Sequence, residues 1–192
     1  MGLSNAATRR FTADEYYLMG EAGVFKPGER VELIEGEIVP VSPQNKRHAA
    51  RIGRLNTRFV RVWGETHDVR VQLPLSLPGH SEPEPDFAIV PRAWVDDAVR
   101  HPSSAHLVIE LADSSLRFDR NEKASVYAKA GIPEYWVLNF QQPSLEVRLE
   151  PGPDPEGSYG YGYRTTRVLQ PPDSVTPAFL PPHTFLVADL LG

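Results

Sequence analysis

"LVIELADSS", residues 107–115, is the stretch on which the fold turns. Leu107, Ile109 and Leu111 alternate with Val108 and Glu110, so a strand here is apolar on both faces and belongs in the middle of a sheet. Glu110 then sits where water is scarce. A buried carboxylate must be paired or must titrate to neutrality, so Glu110 requires a cationic partner. The neighbouring segments offer candidates. Upstream, "EPDFAIV" opens a second apolar strand with Asp86, and two adjacent strands would bring Asp86 and Glu110 together. Their repulsion would be relieved by a divalent cation with oxygen ligands, Mg²⁺ first and Mn²⁺ next. Downstream, "DRNEKASVYAKAGIPEYW" reads as a helix in which Lys123 shares a face with Tyr127 and Ala130, whereas Lys129 falls on another side. An inward ammonium needs a carboxylate as much as Glu110 needs a cation. Glu32 in "RVELIEG" points away from the face of Val31 and Leu33 and is a weaker fourth member.

Each of these residues has a plain structural alternative. Asp86 also reads as the end of a turn after Pro85, Glu110 with Lys123 as a structural ion pair, and Glu32 as a solvated hairpin charge.

Length and composition bound the answer. The 192 residues suit one domain, with a core at about 11–150 and C-terminal strands and a Pro-rich tail over 151–192. There is no cysteine, so disulfides, thiolate nucleophiles and zinc knuckles are excluded and any metal must be held by oxygen or imidazole. A net charge of −5 counts against a simple nucleic-acid coat protein but agrees with a nuclease that gathers carboxylates for a metal. No apolar run approaches the roughly 20 residues that span a bilayer, and the polar start lacks a signal-peptide core, so a soluble, cytoplasmic protein is expected.

Thr12 with Glu15 forms a capping box for a first helix ending near Gly23. Two short runs around Glu35-Gly36 form a hairpin. A second helix spans about 45–63, "DVRVQLPLSL" alternates as a strand, and the third helix takes Asp119 as N-cap with Glu122 in the capping-box position. "EYWVLNF" and "SLEVRLE" follow as strands, the latter pairing with "GYRTTRVLQ" across "PGPDPEGSYGYG". The Pro-rich ending excludes a long regular element, although its apolar residues should pack on the body. This order predicts a mixed α/β (α+β) domain, a central mixed sheet flanked by helices.

On the second helix Arg47, Arg51, Arg54, Arg58 and Arg61 fall within about 80° of arc beside Ile52, Leu55, Phe59 and Val62. A row of like charges is favoured by an anion lying against it, and DNA phosphate is a natural partner; a solvated face paired with acids from elsewhere is the alternative. His48 lies on the apolar side, as a hydrogen-bonded core histidine or as a proton-handling group. There is no Gly-rich phosphate loop, paired-His zinc motif or Gly-x-Ser-x-Gly elbow.

"RVELIEGEIVPVSPQNKRHAARIGRL", "EPDFAIV", "HLVIELADSS" and "DRNEKASVYAKAGIPEYWVLN", in that order, resemble the Uma-type restriction-endonuclease-like proteins of the PD-(D/E)xK nuclease superfamily. The resemblance runs from about Phe11 to Glu150. It implies a restriction-endonuclease-like fold and metal-dependent hydrolysis of phosphodiester bonds in DNA, with RNA left open. Asp86 matches the first acid of the motif and Glu110 the second, and together they would hold one or two Mg²⁺ ions. The lysine expected two residues after the second acid is missing, since Ala112 stands there, and Lys123 on the next helix takes its place. Glu32 matches an acid of the first hairpin, His48 a histidine of the second helix, and Gln72 a marginal inner-strand position. Arg47, Arg51, Arg54 and Arg58 would hold the nucleic-acid backbone, and analogy with the superfamily suggests a homodimer. The rival reading is a catalytically silent module that binds nucleic acid or protein and keeps the fold.

Overall fold

The computed structural model describes residues 8–42, 45–94, 101–179 and 182–192. At its centre is a six-stranded sheet built from β3 (His67–Val71), β4 (Phe87–Pro91), β5 (Leu107–Ala112), β6 (Glu134–Asn139), β7 (Ser144–Pro153) and β8 (Tyr161–Leu169), in that spatial order. Every neighbouring pair is antiparallel except β5 with β6, which are parallel. A parallel pair needs a crossover, and the segment between β5 and β6 supplies it as α3 (Leu116–Phe118), a π turn (Asp119–Lys123) and α4 (Ala124–Lys129). The mixed sheet flanked by helices predicted from the sequence is therefore present.

Each face of the sheet carries its own apolar layer. Leu107, Ile109 and Leu111 pack with Leu55, Phe59 and Trp63 of α2 (Lys46–Trp63). The C-terminal residues Val175, Phe185, Val187 and Leu190 join the same layer. Val108 and Ala112 pack on the other side with Ala124, Val126 and Tyr127 of α4. The alternation read in "LVIEL" is thus realised, and it directs Glu110 to the α4 side.

The hairpin β1 (Val31–Ile34) and β2 (Glu37–Pro40) lies over that second layer, through Ile34 and Val39. Its turn places both Glu35 and Gly36 at positive φ, 50° and 77°, the backbone of a type I′ turn. Helix α1 (Ala13–Glu21) starts as predicted: the Thr12 hydroxyl accepts from the Glu15 N–H, and the Glu15 carboxylate accepts from the Thr12 N–H. For α2 the N-cap is Asn45, whose side-chain oxygen accepts from the His48 N–H.

Three expectations need correction. The third helix does not begin at Asp119: helical backbone starts at Leu116, and Asp119 lies inside the turn, buried, accepting from the Ser115 hydroxyl at 2.6 Å. The strand expected over "DVRVQLPLSL" stops at Val71, because Gln72 turns to φ 52° and Pro74 has no N–H to donate. The β7–β8 connection is shorter than the Pro/Gly composition suggests, since the ladder continues to Pro153 opposite Tyr161. The C-terminal segment does pack on the body, as β9 (Ser174–Val175), β10 (Phe185–Leu186) and α5 (Val187–Leu191), with Phe185 edge-on to Phe59 and Trp63. Leu180 and Pro181 of that segment lie outside the described residues.

Candidate active site

The register of β4 against β5 pairs Phe87 with Ile109, so the next step of the ladder sets Asp86 opposite Glu110. The two side chains are woven into each other's backbone. Asp86 Oδ2 accepts from the Leu111 N–H at 2.8 Å, and Glu110 Oε2 accepts from the Asp86 N–H at 3.3 Å. Asp86 Oδ1 is met by His48 Nε2 at 2.9 Å from the start of α2 and by the Gln72 amide at 3.0 Å, so the residue that ends β3 early turns into the site.

From the opposite side Lys123 Nζ donates to Glu110 Oε1 at 2.9 Å and to Glu32 Oε1 at 3.2 Å, and the Tyr127 hydroxyl also donates to Glu110 Oε1, at 2.8 Å. Exposure is 8% for Asp86, 4% for Glu110, 6% for Lys123 and 1% for Glu32. Asp86 is thus neither a solvent-facing turn residue nor is Glu32 a solvated hairpin charge. All four, with His48, Gln72 and Asp119, line one cavity of about 280 Å³.

Charge in this cavity does not balance. Burial pushes the Glu110 carboxyl up, Lys123 opposes, and Asp119, Asp86 and Glu32 add to the rise, leaving it at about 8. All three groups on its oxygens are donors, so a proton there would meet no acceptor. Burial likewise raises Asp119, against Lys123 and Ser115, to about 6. Asp86 behaves differently: burial pushes it up, but the bond and charge of His48, the Gln72 amide and the Leu111 N–H prevail and hold it below its usual value. Burial would discharge Lys123, yet Glu110, Glu32 and Asp119 raise it well above the ordinary lysine range and keep it an ammonium. The Asp86 hydrogen bond raises His48, against its own burial.

Arg30 and Glu84 on the lining pair with each other, and Asp113 pairs with Arg51; around Lys123 and His48 the four acids Glu32, Asp86, Glu110 and Asp119 remain, and Glu32 Oε2 is buried with no hydrogen-bond partner. An excess of hard, buried oxygen donors with one oxygen unmet fits a divalent cation. Among the described residues no three His, Asp or Glu side chains form a ready metal nest.

Sequence reasoning missed Asp119, taking it for a cap. The available signal was its spacing: four residues before Lys123, it shares that residue's face once the helix runs through it. The arginine row is less uniform than its spacing. Arg51 stacks 3.7 Å over the Phe140 ring and reaches Asp113 at 3.4 Å, Arg54 donates to the Leu191 carbonyl, and Arg58 pairs with Asp189 at 2.8 Å. Arg47 and Arg61 are exposed and make no ion pair among the described residues.

No described helix is long and apolar enough to cross a membrane. A comparison with curated proteins finds no match. The crystal structure of "a putative nuclease belonging to DUF820" from Anabaena variabilis ATCC 29413 superposes with a TM-score of 0.70 over 94% of this chain and 97% of that one, at 15% identity. The fold is shared at an identity too low to carry more. The sequence profile of the Uma2 family, described as "Putative restriction endonuclease", matches residues 13–188. Spanning nearly the whole chain, and with the hairpin, both acidic strands and the lysine helix inside it, that match shows that this protein belongs to the Uma2 family.

Proposed function

We propose that the chain is a divalent-cation-dependent nuclease that hydrolyses phosphodiester bonds of nucleic acid, DNA in the first place. The observation that carries this is Lys123 Nζ lying within 3.2 Å of both Glu32 and Glu110 while Asp86 stands one ladder step across from Glu110, all in one cavity. Asp86 and Glu110 are the residues that would hold Mg²⁺ or Mn²⁺, with Glu32 and Asp119 adding negative charge behind them. Such an ion, when bound, polarises the scissile phosphate and lowers the pKa of a coordinated water.

The chain's own groups do the rest. Lys123 uses two of its three N–H bonds on Glu110 and Glu32, leaving one for a phosphate oxygen or the attacking water. Tyr127 fixes the Glu110 carboxylate. His48 and Gln72 fix that of Asp86, and a protonated His48 adds positive charge beside it. The exposed Arg47 is placed to hold nearby backbone phosphate without reading bases.

Purified protein should nick or cut DNA in Mg²⁺, lose that activity in EDTA, and fall at least about 100-fold in Asp86→Asn and in Lys123→Met. A folded protein inert on every DNA and RNA form in both Mg²⁺ and Mn²⁺ overturns the reading. One observation favours a silent module instead: every oxygen of Asp86 and Glu110 already accepts a protein hydrogen bond. Calorimetric titration decides between them, because a module without catalysis would show no Mn²⁺ binding that depends on Asp86 and Glu110.

A further inference from the structure

The cavity has two unlike sides. Its floor is the acids and Lys123, but Val39, Val41 and Phe118 stand on its wall. Phe118 and Val39 are only partly buried against the layer beneath α4, so part of each faces the cavity. Holding a phosphate calls for no apolar wall. A duplex offers its backbone from the outside with the bases stacked within, and would leave this wall against sugar and water. An unpaired nucleotide can turn its base onto an aromatic ring, a stacking contact open to every base.

The surrounding charge does not separate the two ligands. Arg51 and Arg58 pair with Asp113 and Asp189, Arg30 on the cavity lining pairs with Glu84 at 2.9 Å, and Arg54 donates to the Leu191 carbonyl. Lys46 and Arg47 on the first turn of α2, Arg61 in its last turn and Arg117 beside Phe118 are exposed and make no ion pair among the described residues, so backbone phosphate of either ligand can be met and the aromatic wall is what distinguishes them.

We infer that the cavity takes a single-stranded polynucleotide, one unpaired nucleotide seating its base on Phe118 with the adjoining phosphate over the acids and Lys123. This rests on reading the cavity as the hydrolytic site, and the test separates the two. Binding is measured by fluorescence anisotropy in Ca²⁺, with short labelled single strands of DNA and of RNA and with the blunt duplex of the same sequence. At least one single strand should bind about tenfold or more tightly than the duplex. Phe118→Ala should weaken that binding about tenfold and Phe118→Trp should retain it, with melting temperature reporting whether each variant folds. Duplex binding equal to or tighter than both single strands overturns the inference on the wild-type protein alone, as does undiminished binding by a folded Phe118→Ala. The same substrates in Mg²⁺ and Mn²⁺ then test hydrolysis: preferred cutting of duplex overturns the single-strand inference and leaves hydrolysis standing. Single-strand binding with no cutting overturns hydrolysis and leaves the ligand standing.

Discussion

Lys123 is held between two carboxylates on elements far apart in the chain, Glu110 thirteen residues before it and Glu32 ninety-one. Removing an ammonium from such a site leaves buried negative charge uncompensated, so Lys123→Met should cost about 3 kcal/mol or more. The part owed to Glu32 can be isolated by adding Glu32→Gln. In urea unfolding the double variant should be less destabilised than the sum of the singles by about 1–3 kcal/mol, and strict additivity would show that the contact carries no coupling. At this scale the sequence was informative where a charge interrupted an apolar pattern: Glu110 and Lys123 were visible as charges with nowhere solvated to go. Asp86 and Glu32 were ambiguous, because a turn-ending aspartate after Pro85 and a hairpin charge are each common, and Asp119 was hidden behind its reading as an N-cap. Only the packing of the hairpin against the crossover decides that neither Glu32 nor Asp119 sees water.

Among the elements, the β1–β2 hairpin matters most to the site because it forms one wall and delivers Glu32. Its turn depends on Gly36, where φ is 77° and an added Cβ would come within 2.6 Å of the Arg10 Cβ and 3.0 Å of the Phe11 carbonyl. Gly36→Ala should therefore lower stability by about 2 kcal/mol in chemical denaturation, through left-handed strain and that close approach. Gly36 made this turn legible beforehand, since glycine accepts a positive φ without strain; the positive φ of Glu35 was not, because glutamate falls outside the usual Asn, Asp and Gly preference. The crossover helix was less legible. "SSLRFDRNEK" contains two plausible starts, Ser115 and Asp119, and the Asp119/Glu122 spacing imitates a capping box. The chain starts at the earlier one and passes through a π turn over Asp119–Lys123, which buries Asp119 and Lys123.

Across the whole molecule, the sheet order and its one parallel pair are properties the hydrophobic pattern does not contain; alternation shows which strands are buried on both faces but not who neighbours whom. The C-terminal segment is tied to the first edge of this sheet through a ring cluster, Phe179 lying 5.1 Å from His67 and 5.5 Å from His106. Burial, reinforced by the His106 ring, depresses the His67 pKa below its unfolded value near 6.5. A base whose folded pKa is depressed contributes stability above the unfolded value and loses it as pH falls through the folded one. Melting temperatures should therefore drop on acidification below about pH 6.5, and less steeply in His67→Phe than in the parent; equal slopes would show that His67 does not report the attachment of this segment. The span between Lys123 and Glu32 has a further consequence during synthesis. The ribosome releases the hairpin long before the crossover exists, so Glu32 has no counter-ion to desolvate against and that wall must stay hydrated. Glu110 and Lys123 emerge almost together and can find each other within one unit. Order of synthesis thus lets the Glu110 contact form ahead of the one to Glu32.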